Sequence, residues 1–237
     1  MDRIIDHALK RSRPEYVVTP NAHHIVLLQK DPFFLRIYQN ALLIVPDGVS
    51  LLKASDFLNT PFRERVNGTD LFERLCEAAK DRGLKVFFLG GRPGAVEKCK
   101  QVLLKRYPNL EIAGVFCPSY NIDKDKQESL RIREYIKKAQ PHILFVGLGT
   151  PKQEKWIYKN YQDLEVPISI GIGISFELVS DMIKRAPVWA QRASLEWFFR
   201  LMAEPQRLLL RYMEVVPGFI WLVLCQWWRK KFLFKSY

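Results

Sequence analysis

Short, uniformly apolar runs recur along the chain, each cut off by a turn signal and most of them followed by a helical pattern. Tyr16-Val17-Val18-Thr19 stops at Pro20-Asn21, Leu42–Val45 at Pro46-Asp47-Gly48, and Val86–Leu89 at Gly90-Gly91. Ile112–Phe116 follows, then Ile143–Val146, which stops at Gly147-Leu148-Gly149, and Ile168–Gly171 is last. A strand with one wet face alternates apolar and polar residues; these do not, so both of their faces must be covered. Strands that alternate with helices and are buried on both sides predict a parallel sheet. The expected fold class is therefore α/β: a Rossmann-like parallel sheet of about six strands with helices on both faces, followed by an all-helical C-terminal appendage.

Helix boundaries follow from periodicity and caps. Helical patterns cover 2–11, 23–29, 33–39, 49–57 and 95–107, with another from Ser175. Leu71, Phe72, Leu75, Cys76 and Ala79 make one apolar face of a helix over Thr69–Asp81, with Asp70 and Glu73 at capping-box spacing and Gly83 past its end. A polar amphipathic helix is expected over Asp123–Ala139. Thr150, Pro151 and Gln153 fit the N-cap, N1 and N3 positions of the helix after Ile143–Val146.

From Pro187 the pattern becomes all-helical, which divides the chain into an α/β domain over 1–185 and a helical, basic and aromatic appendage over 186–237. The whole chain of 237 residues carries a net charge of +12. Residues 184–237 hold ten Lys/Arg against three Asp/Glu and five of the six Trp. Such a balance favours an anionic partner. No nucleic-acid motif is present, and the basic residues stand beside apolar ones, which favours an anionic membrane surface. Arg192, Arg200, Arg207 and Arg211 would share a face on one continuous helix, but Pro205 is expected to divide it in two. Pro217-Gly218 is expected to introduce a separate apolar helix over Phe219–Trp228, too short for the ~30 Å of a bilayer core. No run of some 18 apolar residues is found, and the charged N-terminus has no apolar signal segment. The expectation is a cytoplasmic protein held peripherally on the inner face of the membrane. Cys76, Cys99, Cys117 and Cys225 form no metal-ligand spacing and read as reduced thiols.

The residues that could carry chemistry gather at the strand ends. Asp47 lies just past a strand's C-terminal end, where open α/β sheets keep their ligand crevice. Arg65 and Asn67 precede the next helix N-terminus. A carboxylate, an arginine and a helix start would serve as a base and an anion clamp; equally, Asp47 could only cap its helix and Arg65 be a solvated residue. Thr19 and Asn21 end a strand on the same edge and could hold a sugar or phosphate. Asn67–Asp70, Gly90–Gly94 and Gly147–Gln153 could each offer backbone N–H groups to a phosphate. None is a Walker loop, and Gly90-Gly91-Arg92-Pro93-Gly94 is not the dinucleotide fingerprint. Asp123-Lys124-Asp125 has the Asp-x-Asp pattern of metal-dependent sugar transferases, yet it opens a polar helix, where acidic residues are stabilising on their own. His23 and His24 read as helix-start residues. No metal or cofactor is expected. A nucleotide-binding module without catalysis and a nucleic-acid binder remain rival classes, and a homo-oligomer stays open.

The ordered set of stretches resembles the WecG/TagA/CpsF family of bacterial glycosyltransferases. The resemblance is carried by Val18-Thr19-Pro20-Asn21, Val45-Pro46-Asp47-Gly48, Arg65-Val66-Asn67-Gly68-Thr69-Asp70, Phe88-Leu89-Gly90-Gly91, Val146-Gly147-Leu148-Gly149-Thr150-Pro151-Lys152-Gln153-Glu154 and Arg185-Ala186-Pro187 onward to Arg207. It departs from the family at the start, where a further short strand-and-turn segment usually precedes the first helix. The resemblance implies an inverting, metal-independent transfer of a sugar from a UDP donor to an undecaprenyl-diphosphate-linked sugar. The pattern looks like the branch that adds N-acetylmannosamine to lipid-linked N-acetylglucosamine in the wall teichoic acid linkage unit; other members use other donors, such as UDP-ManNAcA or UDP-glucose. By motif, Asp47 would be the general base and Arg65 would stabilise the leaving diphosphate. Thr19, Asn21, Asn67, Gly90, Gly91, Gly147, Gly149, Thr150 and Gln153 would bind the donor. Arg200, Arg207 and Arg211 would meet the acceptor's diphosphate.

Overall fold

The computed structural model describes residues 1–11, 13–62, 66–119, 122, 125–192 and 195–233. In chain order the elements are α1 (Asp2–Lys10), β1 (Glu15–Val18), α2 (Ala22–Lys30), α3 (Pro32–Gln39), β2 (Leu43–Ile44), α4 (Val49–Phe57), α5 (Gly68–Asp81), β3 (Val86–Gly90), α6 (Ala95–Arg106), β4 (Ile112–Phe116), α7 (Lys126–Ala139), β5 (Ile143–Gly147), α8 (Lys152–Leu164), β6 (Ile168–Gly171), α9 (Ser175–Val179), α10 (Val188–Arg192), α11 (Glu196–Ala203) and α12 (Pro205–Leu233). The strands form one six-stranded sheet in the order β2-β1-β6-β5-β3-β4, and every pairing is parallel. This is the expected α/β class.

The chain divides into two compact units. The first comprises 1–19, 36–45 and 67–183 and contains the whole sheet. Strands β1, β3, β5 and β6 are buried along their full length, as their unbroken apolar character requires. Helix α5 buries the predicted face, and Phe72 at its centre meets Phe145 and Phe176 edge-on at 4.8 and 5.5 Å between centroids. Edge-to-face rings add about 0.5–1.5 kcal/mol each beyond their burial.

The second unit comprises 20–35, 46–66 and 184–237. Val26 of α2, Leu51 of α4, and Val215 and Phe219 of α12 form its buried cluster. Further along, Phe57 packs against Trp227, and the Lys230 ammonium donates to the Leu58 carbonyl at 2.7 Å. The C-terminal helices thus share their core with two segments from the first third of the sequence.

Several local expectations are corrected. Helix α5 is capped by Asn67, whose Oδ1 accepts from the N–H groups of Thr69 and Asp70 at 2.9 and 3.3 Å, and not by an Asp70/Glu73 box. The helix starts one residue earlier than the apolar pattern, so the cap moves back to a favoured Asn. Helix α7 starts at Lys126, with Asp125 as its cap; Asp123 and Lys124 lie outside the described residues. Thr150 is not the cap of α8: Pro151 is, after a cis Thr150–Pro151 bond, and no side chain caps that helix. Pro205 does divide the arginine-bearing stretch into α11 and α12. Pro217, however, lies inside α12 rather than ahead of a new helix. An interior proline costs about 3 kcal/mol; Val215 and Phe219, buried on either side of it, offset that cost. Helix α12 is therefore one rod of 29 residues, and among the described helices it is the one long and apolar enough to cross a membrane by length and composition. The expectation of a helix confined to Phe219–Trp228 does not hold.

Candidate active site

In the first unit, the C-terminal ends of four adjacent strands are laced together by polar contacts. Thr19, just past β1, donates its hydroxyl to the Gly171 carbonyl at the end of β6 at 2.9 Å. The Gln153 side chain, from the first turn of α8, accepts the Gly173 N–H beyond β6 at 3.0 Å. A Cβ on Gly171 would lie 2.8 Å from the Gln153 amide nitrogen, so only glycine lets that amide rest on the strand. The Gly91 N–H donates to the Gly147 carbonyl at 2.8 Å, joining the ends of β3 and β5. A side chain on Gly90, at φ +115°, would come within 2.5 Å of the same carbonyl oxygen. Two glycine loops are thus held close enough to present backbone to a ligand.

Asn67 and Thr69 open α5 beside these loops. The Thr69 and Ser175 hydroxyls lie 3.1 Å apart, and Ser175 donates to the Ile172 carbonyl. Gly149 lies in the turn before α8 with φ +75°. Thr150 turns its hydroxyl toward Glu154 at 3.4 Å. The first turn of α8 has no side-chain cap hydrogen bond and holds one acidic residue, Glu154, whose carboxylate offsets part of the positive charge of a helix N-terminus.

In the second unit, Asn21 and Asp47 come together. The Asp47 N–H donates to the Pro20 carbonyl at 2.9 Å, and a Cβ on Gly48 would sit 3.2 Å from the Asn21 Cβ. Asn21 caps α2 in a reciprocal box with His24, which gives the His pair the helix-start role read from the sequence. Asp47 stands one residue ahead of the α4 cap position, which Gly48 occupies without a side-chain cap hydrogen bond.

Arg200 on α11 and Arg207 and Arg211 on α12 also gather within this unit. Burial lowers the Arg211 pKa below its ordinary value, and the Arg207 and Arg200 charges lower it further. Arg207 holds one counter-charge, Glu204 at 2.9 Å. The Arg200 Nε is buried without a partner among the described residues. Three mutually repelling guanidinium groups suit a multivalent anion, which each can grip with a planar fork. Arg65 lies outside the described residues.

Sequence reasoning passed over two buried carboxylates at this sheet edge. Glu154 accepts from the Gln153 amide at 2.7 Å, and Glu177 accepts the Arg92 N–H in the Gly90–Gly94 loop at 3.0 Å. Both are almost wholly buried. The available signal was a charged residue inside a helix start that is otherwise committed to the core. Cys117, read as a reduced thiol, donates its S–H to the Gly91 carbonyl of the same loop.

An open parallel sheet with glycine loops at its carboxyl edge is an α/β architecture that keeps its ligand crevice at that edge. The sequence pattern of the Glycosyl transferase WecG/TagA/CpsF family matches residues 1–232, and the chain belongs to that family. It is a glycosyltransferase. It is 31% identical over 208 residues to the N-acetylglucosaminyldiphosphoundecaprenol N-acetyl-beta-D-mannosaminyltransferase of Bacillus subtilis (strain 168), covering 87% of this chain and 78% of the relative. Proteins of the same name from Bacillus spizizenii (strain ATCC 23059 / NRRL B-14472 / W23) and Staphylococcus aureus (strain NCTC 8325 / PS 47) are each 30% identical, over 91% and 81% of this chain and 81% and 74% of their own.

Proposed function

We propose that this chain transfers N-acetylmannosamine from UDP-ManNAc to undecaprenyl-diphosphate-linked N-acetylglucosamine, with inversion and without a metal ion. The relatives' shared name supports the sugar and the acceptor, since each match covers four-fifths or more of this chain. The catalytic reading is supported by the placement of Asp47 just past β2, its N–H on the Pro20 carbonyl and its neighbour Gly48 against Asn21.

Asp47 removes the proton from the acceptor hydroxyl as that oxygen attacks the anomeric carbon from the face opposite UDP. General-base catalysis of this kind contributes about 10²–10⁴-fold. The backbone N–H groups of the glycine loops favour the charge that develops on departing UDP, with Arg65 assisting by its family motif. Asp125 is committed to the Glu128 N–H as the α7 cap, which weakens the case for a metal-binding Asp-x-Asp here. The three arginines take the acceptor's diphosphate.

The same reading places the protein on an anionic membrane surface. Leu209, Leu210, Met213, Val216, Ile220, Trp221, Leu224 and Trp228 of α12 are all exposed. The opposite side of that helix is packed on α2 and α4 from Val215 to Lys230. A helix packed on one side from Val215 to Lys230 and apolar on its exposed side suits the interface plane, with its Trp and Lys residues at headgroup level.

The deciding experiment offers UDP-ManNAc, UDP-ManNAcA and UDP-glucose in turn, with and without chelator, to lipid-diphosphate-GlcNAc, and reads free UDP. Acceptor-dependent release from UDP-ManNAc, unaffected by chelator, is expected. Faster release from another donor assigns the chain to a different surface polysaccharide; loss on chelation, restored by manganese, overturns the metal-independent mechanism.

A further inference from the structure

We propose that Glu154 is the positioning residue for Gln153, fixing the direction in which that amide presents its N–H to the donor; the inference rests on Gln153 being a substrate contact. The two residues are neighbours in the first turn of α8, and both are 2% exposed. Adjacent helix positions ordinarily face apart. Here the carboxylate folds back and accepts from the Gln153 Nε2 at 2.7 Å. On the other side, the Gln153 Oε1 accepts the Gly173 N–H at 3.0 Å.

A carboxylate can only accept and a backbone N–H can only donate, so the two together allow one orientation of the amide. One N–H of Nε2 and one lone pair of Oε1 then remain, their directions set by Glu154 and by the Gly173 N–H. Thr150 adds its hydroxyl to the same carboxylate at 3.4 Å, so Glu154 also couples the Gly147–Thr150 loop to Gln153. Desolvating a carboxylate is costly, and a well-packed apolar side chain is often as stable or more so. At a position whose neighbours are core residues, the buried charge is better explained by what it orients. Its field reaches Tyr38, whose hydroxyl is pushed far above its ordinary range, mainly by burial and then by Glu154.

The test is a double-mutant cycle on the full chain in a UDP-release assay, with Gln153→Ala, Glu154→Leu and the pair, and with Glu154→Gln and Glu154→Asp as conservative variants. Thermal midpoints are measured in parallel. Gln153→Ala is expected to lower kcat/KM by about 10²-fold, the scale of one misplaced positioning group. Glu154→Leu should cost a similar factor in the wild-type background and less than about 3-fold on top of Gln153→Ala, since residues acting through one another are not additive. Glu154→Gln keeps an acceptor and should recover most of the activity, which keeps the cycle readable if Glu154→Leu fails to fold. Full losses that multiply in the pair overturn the positioning role while leaving Gln153 in the site. A Gln153→Ala enzyme at the wild-type rate overturns the donor contact itself, and the positioning role with it.

Discussion

The two units spend their polar groups differently. At the carboxyl edge of the sheet, Thr19, Gln153, Glu154, Ser175 and Glu177 bond to backbone and to one another and are almost fully buried. In the helical unit, Arg200, Arg207 and Arg211 crowd together with Glu204 as the one counter-charge that bonds them among the described residues, and a broad apolar surface stays exposed. A site that must stabilise a transition state gains from groups fixed beforehand. A surface that meets a lipid-linked diphosphate gains from unspent charge and unburied apolar area. Under the proposed function the difference would separate a donor-side scaffold from an acceptor-side surface, and it can be broken experimentally.

The largest effect should come from Asp47→Asn, with turnover down by about 10²–10⁴-fold and UDP affinity held. A fall in stability of about 0.5–2 kcal/mol with normal turnover would return Asp47 to a capping role. Next, Phe219→Ala opens the α2–α4–α12 cluster and should cost the helical unit about 3 kcal/mol. Five of the six Trp lie in 184–237, so Trp fluorescence should report this loss; an unchanged fluorescence midpoint in denaturant would show that the cluster contributes little. Leu210→Glu with Trp221→Glu leaves that cluster intact and charges the exposed face. Cosedimentation with anionic vesicles should weaken by more than about 10-fold, given about 1.5–3 kcal/mol per large apolar side chain, while hydrolysis-independent UDP binding holds. Equal sedimentation would remove the membrane assignment from α12.

The smallest effect belongs to His142, in the sheet unit. Its Nδ1 accepts the Lys85 N–H at 2.9 Å, and its pKa is lowered by burial first and then by Arg11 and Lys85. A histidine held neutral in the fold stabilises it fully above its unfolded pKa of about 6.5, and that contribution is lost as pH falls below it. The thermal midpoint should therefore drop slightly between about pH 7.5 and about pH 5.5. His142→Asn, which keeps an acceptor for Lys85, should flatten the slope; an unchanged slope would place the pH dependence elsewhere.

Much of this protein was legible in its sequence. Unbroken apolar runs fix buried parallel strands because backbone pairing needs no particular side chain, only that both faces avoid water. Turn residues fix where those strands stop, and hence the edge at which Thr19, Gly90 and Gly147 emerge. Capping was misjudged at α5 and α8 because a helix start depends on one residue's backbone angles, which periodicity does not report. The tertiary structure alone decided three matters. Packing on both sides kept α12 continuous through Pro217. Contacts between segments far apart in sequence gathered 20–35 and 46–66 with the C-terminal helices. Burial of the α8 start paired the Glu154 carboxylate with its own neighbour, Gln153. In each case the deciding contact joins groups whose meeting depends on the packed fold, and local propensity carries no record of it.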